Sequence, residues 1–120
     1  MDKQTIFTKA ATHLLKQQAK STRPDGHSCL YRSSDGLMCA VGCLIPDEMY
    51  HPLMEGSGVL GLIRNFPIIK ELFDDNVVTS DLLYGLQKIH DEYPVEHWEE
   101  ALRSLAKNNK LKFEVDIATV

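Results

Sequence analysis

Nine consecutive residues near the middle of the chain, residues 37–45 (LMCAVGCLI), are all apolar or small. A segment without a polar face is excluded from the surface, so the rest of the chain has to fold around it. A buried strand and a short buried helix both fit this composition. We predict a helix over about residues 38–44, in which Gly42, unfavourable by about 1 kcal/mol relative to Ala, lets a neighbouring backbone come close.

Two other segments predict extended structure. Residues 29–32 (CLYR) have the pattern of a short strand, followed by the turn-forming residues 33–36 (SSDG). Residues 111–117 (LKFEVDI) alternate apolar and polar side chains and predict a second strand, paired with the first or lying at an edge. Together these segments predict a small sheet of two or three strands.

Helical periodicity accounts for most of the remaining chain. The apolar stripes, prolines and polar caps predict helices over about residues 2–20, 59–63, 67–73, 80–92 and 94–108, with Thr79 or Ser80 capping the fourth and Asp74 to Asn76 ending the third. Residues 54–58 (MEGSG) predict a flexible connector. The expected fold is a single α+β domain over residues 1–120, mostly helical, with four or five helices around the buried central segment and a small two- or three-stranded sheet.

The composition is that of an ordinary soluble domain. No apolar run approaches the roughly 20 residues that span a bilayer, and the polar, amphipathic N-terminus does not have the pattern of a signal peptide. Three cysteines do not form a closed disulfide set, which suits a reducing compartment. We therefore predict a cytoplasmic protein that makes no membrane contact.

Charge is distributed unevenly along the chain. Residues 35–100 carry thirteen acidic side chains and three basic ones, whereas both ends of the chain are basic. The acidic middle disfavours nucleic-acid binding and suits a basic protein partner, although a solvated acidic face has the same signature. The sequence leaves the oligomeric state open.

The central segment with its flanks, CLYRSSDGLMCAVGCLIPDEMY, resembles a family of short, uncharacterised bacterial and bacteriophage proteins. Those proteins have a similar Cys-Leu-Tyr-Arg, Asp-Gly, Cys-Ala-Val-Gly and Ile-Pro-Asp-Glu run. A later segment matches as well, at Leu86, Gln87, His90, Asp91 and Trp98, so the likeness covers most of residues 3–110. The resemblance implies a phage or prophage setting and a host-modulating role, but no activity.

The cysteines and histidines allow two chemical hypotheses. Cys39 at a helix N-terminus would be an activated nucleophile of a hydrolase or transferase, with His27 or His90 among the histidines that would serve as its base; core packing is the ordinary role of such a cysteine. A zinc-stabilised interaction domain would draw its ligands from His27, Cys29, Cys39 and Cys43, but no Cys-x-x-Cys pair occurs. His90 followed by Asp91 is a weak signal alone, and we predict no cofactor.

The remaining hypothesis, which we favour, is a small cytosolic protein-binding module. Its predicted binding residues are the polar side chains around the central segment and the acidic start of the last helix: Tyr31, Arg32, Asp47, Glu48, Glu96, Glu99 and Glu100. The first four residues have a competing structural role, since they could fix the turns around the central segment instead.

Overall fold

The computed structural model describes residues 1–26, 28–73 and 77–115, with the backbone alone described at residues 77 and 78. In these ranges the chain forms five α-helices: α1 (Lys3–Gln17), α2 (Val59–Asn65), α3 (Pro67–Leu72), α4 (Val77–Glu92) and α5 (Trp98–Asn108). Short 3₁₀ turns occupy Gly42–Leu44, Asp47–Met49, Pro52–Met54 and Val95–His97. Within the described ranges, no helix has both the length and the apolar character needed to cross a membrane.

The predicted amphipathic helices are confirmed. Helix α1 begins after Asp2, whose carboxylate accepts a 2.7 Å hydrogen bond from the Thr5 N–H, and it packs against α4 and α5. The apolar stripe of each long helix faces the common core, which includes Ile6, Phe7, Ala10, Ala11 and Leu14 of α1, Leu82, Leu83, Leu86 and Ile89 of α4, and Trp98, Leu102 and Ala106 of α5.

The predicted cap of the fourth helix is wrong. Helix α4 already begins at Val77, so Thr79 and Ser80 lie inside its first turns. Thr79 is nearly fully buried, which shows that its side chain faces the core. The predicted break at Asp74 to Asn76 lies outside the described residues. Pro94 does not start α5 directly, because the 3₁₀ turn Val95–His97 intervenes before the helix begins at Trp98.

The central segment is buried as predicted, but it is not a helix over residues 38–44. Cys39, Ala40, Val41, Leu44 and Ile45 are all at most 5 % exposed. Only Gly42–Leu44 forms a 3₁₀ turn, because the preceding backbone is held to the other side of the Ser33–Gly36 turn, for example by the 3.2 Å bond from Cys39 N–H to the Tyr31 carbonyl. Gly42 does lie against a neighbouring backbone, that of Tyr31.

The small sheet is not present, and the predicted α+β class is therefore wrong: the described residues form a mostly helical protein with two isolated bridges, Thr22 with Cys29 and Arg32 with Met38. The predicted strand at residues 29–32 is reduced to these bridges. Residues 111–115 are not a strand either, since the Lys112 backbone is bonded to both ends of the Gln4 side-chain amide on α1, at 2.9 Å each. Residues 116 and 117 of that prediction lie outside the described residues.

The predicted flexible connector is fixed at Glu55. Both carboxylate oxygens of Glu55 accept backbone N–H bonds, from Tyr31 at 2.9 Å and from Arg32 at 3.1 Å. The Tyr50 hydroxyl donates to Glu55 as well, at 2.6 Å. These bonds tie the loop before α2 to the polypeptide that leads into the central segment.

Candidate functional site

The structure brings together two segments that lie about sixty residues apart in the sequence. The Cys29 sulfur and the polar side-chain atoms of His90 and Asp91 all lie within 4.8 Å of one another. Cys29 belongs to the loop before the central segment, and the other two residues form the last turn of α4. The spacing of these residues in the sequence does not predict the cluster, because it forms only when the loop packs onto α4.

His90 is fully buried, and its hydrogen bonds fix its protonation state. The Ser21 backbone N–H lies 2.9 Å from Nε2, and a backbone N–H can only donate, so Nε2 carries the lone pair. The proton of the neutral ring is therefore on Nδ1, which donates to Asp91 Oδ1 at 2.7 Å. The ring also stacks on Trp98, with centroids 5.6 Å apart.

Asp91 is held in place by neutral donors. Its Oδ1 accepts from Gln87 Nε2 at 2.8 Å as well as from His90, and the Cys29 thiol lies beside the carboxylate. The Lys20 ammonium lies 3.3 Å from the main-chain carbonyl of Asp91. Two donors on one oxygen orient the carboxylate, whose side chain remains 36 % exposed.

A cavity of about 410 Å³, here called the α4 cavity, opens next to this cluster. Its wall consists of Cys29, Leu30, Tyr31, residues 55–59, Gln87 and Asp91. The two carboxylates of Glu55 and Asp91 are the charged groups of this wall. The cavity is therefore polar and negatively charged.

The cysteines are protonated thiols rather than activated nucleophiles. Burial, together with the negative charge of Asp91, raises the pKa of Cys29 to about 11. Burial also raises the pKa of Cys43 to about 12 and lifts that of fully buried Cys39 further still, although the Gly42 N–H donates to the Cys39 sulfur. The structure thus places the predicted nucleophile Cys39 in the core, without access to substrate.

The raised pKa of Cys29 predicts the pH dependence of its alkylation. Only the thiolate reacts, so we expect the rate of labelling with iodoacetamide to rise about tenfold per pH unit from about pH 7 to about pH 10, without a plateau. Peptide mapping by mass spectrometry would separate Cys29 from Cys43 and from Cys39, which should stay unlabelled in the folded protein. A plateau near neutral pH at Cys29 would identify an activated thiolate and contradict this assignment.

The predicted zinc ligands do not form one site in the described residues. The grouping of ligand-type side chains found there joins Cys29 to His90 and Asp91, without Cys39 or Cys43, and His27 lies outside the described residues. Metal binding at Nδ1 would move the His90 proton to Nε2, where it would oppose the Ser21 N–H. The donor set therefore fits a hydrogen-bond network better than a metal centre.

Three predicted binding residues make contacts that fix the turns around the central segment. Tyr31 is buried and donates from its hydroxyl to the Ser57 carbonyl at 2.6 Å. Arg32 contacts Asp47 at 2.6 Å and the Ile45 carbonyl at 2.5 Å. Glu48 is exposed. These contacts give Tyr31, Arg32 and Asp47 the structural role that competes with binding, while the buried Nε of Arg32 has no hydrogen-bond partner among the described residues.

The remaining predicted binding residues, Glu96, Glu99 and Glu100, are exposed around the start of α5, and Glu100 lines a second depression. This α4–α5 groove has a volume of about 520 Å³ and is lined by Gly85, Lys88, Ile89, Tyr93, His97, Glu100, Ala101, Ser104, Leu105 and Asn108. Two exposed aromatic residues are absent from the predicted binding residues: Tyr84 on α4, with 59 % exposure, and Tyr93 in the groove lining, with 41 % exposure. The position of Tyr84 off the apolar stripe of α4 was the available signal for its exposure.

Comparisons with known proteins supply no relative. No protein-family model matches the sequence, no curated protein is significantly similar to it, and no solved structure matches it. The fold and the two depressions define a small, mostly helical domain, and any statement of function rests on their geometry.

Proposed function

We propose that this chain is a small cytosolic protein-binding module whose α4–α5 groove receives a basic, amphipathic segment of its partner. The single observation that carries the proposal is the groove itself, whose lining combines apolar side chains with exposed Tyr93 and the carboxylate of Glu100. The phage or prophage setting that the resemblance implies would make a host protein the partner.

The floor of the groove is apolar. Helices α4 and α5 come close at Gly85, where an added Cβ would lie 3.0 Å from Leu105 Cδ1. Ile89, Ala101 and Leu105 form the base, and Tyr93 stands beside it with 41 % of its surface exposed. Tyrosine is enriched in protein interfaces because it offers a large rigid contact area with a polar end. A groove between two helices with such a base suits an apolar anchor on a partner helix.

The rim selects a basic partner. Between residues 81 and 104 the chain has six acidic side chains and two basic ones. Glu99 pairs with Arg103 at 3.4 Å, whereas neither Glu96 nor Glu100 forms an ion pair with any described residue. Unpaired exposed carboxylates beside an apolar groove favour lysine and arginine on the approaching segment and accelerate association.

Charge reversal on the rim tests this proposal. The triple variant E96K/E99K/E100K should weaken binding of the partner about tenfold or more, since three attractive contacts become repulsive. The partner would be found by affinity purification and mass spectrometry, then purified, and its affinity for each variant measured by calorimetry at fixed ionic strength.

The matched control carries the same change of charge away from the groove. Asp35, Glu71 and Glu114 are exposed, and D35K/E71K/E114K should bind nearly as the wild type does. Equal loss of affinity in both triple variants would point to net charge alone and contradict a groove site. Failure of the wild-type protein to retain any partner would count against the whole proposal.

A further inference from the structure

We propose that the α4 cavity binds a primary ammonium group through Asp91, and, resting on the proposed function, that a lysine side chain of the basic partner supplies this group. The cavity lies outside the groove, so it is a second contact site.

The cavity has negative charge without a balancing cation on its wall. Glu55 and Asp91 both line it, and within the described ranges neither carboxylate forms an ion pair with a lysine or arginine side chain. Lys20 lies near, but it donates to the main-chain carbonyl of Asp91 and not to its carboxylate. The cavity therefore attracts a cation and repels anions.

Asp91 is the group that is prepared to bind. Its Oδ1 accepts from the Nδ1–H of fully buried His90 and from the Gln87 amide, so Oδ2 takes no bond from these two donors, and the weak Cys29 thiol donor lies beside the same carboxylate. Both oxygens of Glu55 already accept backbone N–H bonds, so Glu55 contributes charge more than a free acceptor. An acceptor oriented by a buried partner binds without losing further side-chain freedom.

The geometry favours ammonium over guanidinium. A guanidinium binds best with its paired N–H fork across both oxygens of one carboxylate, but Oδ1 of Asp91 already has two donors. An ammonium is a compact charge with three donors and needs only one acceptor position on Oδ2, with backbone carbonyls or water for the other donors. A volume of about 410 Å³ admits the end of a lysine side chain.

One partner segment can reach both depressions. Gln87 and Asp91 line the cavity, Gly85 and Lys88 line the groove, and all four belong to α4. Exposed Tyr84 lies three residues before Gln87 and four before Lys88, so it is the helical neighbour of both. The exposed face of α4 therefore connects the cavity to the groove.

The cavity can be tested without the partner. In ¹⁵N-labelled protein, n-butylammonium chloride should shift the Gln87 side-chain amide and the Gly56 and Gly58 backbone amides in a saturable way. The neutral n-butanol and the planar guanidinium ion should shift them much less. No saturable shift with n-butylammonium, or an equal response to either comparison molecule, would overturn the proposal.

The matched variant is D91N. Its side-chain carbonyl still accepts from His90 and Gln87, but the negative charge is gone. We expect the affinity for n-butylammonium to fall at least about fivefold. The control E92Q removes an exposed carboxylate from the next position and should bind as the wild type does. Unchanged binding by D91N would overturn the role of Asp91.

The lysine assignment has its own outcome. If the partner's affinity falls in D91N and not in E92Q, and one Lys→Ala change in the partner removes that difference, the lysine occupies the cavity. If n-butylammonium binds and the partner has the same affinity for D91N as for the wild type, the lysine assignment is wrong and the groove proposal stands. If the rim reversal has no effect and D91N weakens the partner, the groove proposal fails and the cavity stands.

Discussion

Replacing Gly42 by Ala is expected to destabilise the protein by about 3–5 kcal/mol, among the largest effects a single methyl group can have. An ideal Cβ at this position would lie 1.9 Å from the Tyr31 carbonyl oxygen and 2.7 Å from its carbonyl carbon. Both atoms belong to backbone, which cannot rotate away as a side-chain end would. Either the central segment or the backbone around Tyr31 has to move. Such a movement also disturbs the hydrogen bond from the Cys39 N–H to the same carbonyl.

Urea unfolding and thermal melts would measure this loss, with a decrease in Tm of about 10–20 °C for a domain of this size. The matched control is G61A. Gly61 lies within α2, and a Cβ there would meet only the Ser57 Cβ, at an ordinary 3.7 Å. Ala is the better helix former, so G61A should stabilise the protein by about 0.5–1 kcal/mol. A G42A variant as stable as wild type would show that the contact with Tyr31 is not present in solution.

Helical periodicity was a reliable guide where a helix buries one face. The stripe of Leu82, Leu83 and Leu86 in α4 recurs at helical spacing because that face packs on α1, so the sequence carries the pattern directly. Burial of the central segment was also predictable, because all of its residues are apolar or small. Its conformation did not follow, since an all-apolar segment has no period and the contact with Tyr31 decides it.

The predicted sheet failed because alternation reports burial of one face and not the partner that covers it. Phe113 does face inward, with its ring 6.2 Å from that of Phe7. The covering surface is helix α1, and the backbone of Lys112 is satisfied by the Gln4 side chain in place of a neighbouring strand. Nothing in residues 111–117 distinguishes these two arrangements.

The candidate sites also differ in how far the sequence predicts them. The exposed acids of α5 were predictable, because their placement depends on one helix. The cluster of Cys29, His90 and Asp91 was not, because it joins a loop to a helix through tertiary packing. One signal was present: His90 follows Leu86 by four residues and Leu83 by seven, which places it on the buried stripe of α4.

Substitution of His90 is expected to lower the free energy of unfolding about as much as substitution of Gly42. In H90A the buried Ser21 N–H loses its acceptor, the ring leaves a cavity beside Trp98, and Asp91 loses a donor. An unsatisfied buried donor costs about 1–3 kcal/mol. With the cavity term, the free energy of unfolding should fall by about 3–5 kcal/mol, measured by urea denaturation.

The variant H90F separates the two causes. It keeps an aromatic ring against Trp98 and removes only the acceptor and the donor, so we expect it to lose about 1–3 kcal/mol and to lie between H90A and wild type. The exposed His97 provides the control, since H97A should change stability by no more than about 0.5 kcal/mol. If H90A and H97A were equally stable, the bond from Ser21 would contribute nothing, and the tautomer that orients Asp91 would lose its support. If H90F instead matched H90A, the hydrogen bonds of the ring would outweigh its packing, and the neutral His90 would be the element that holds the Ser21 loop on α4.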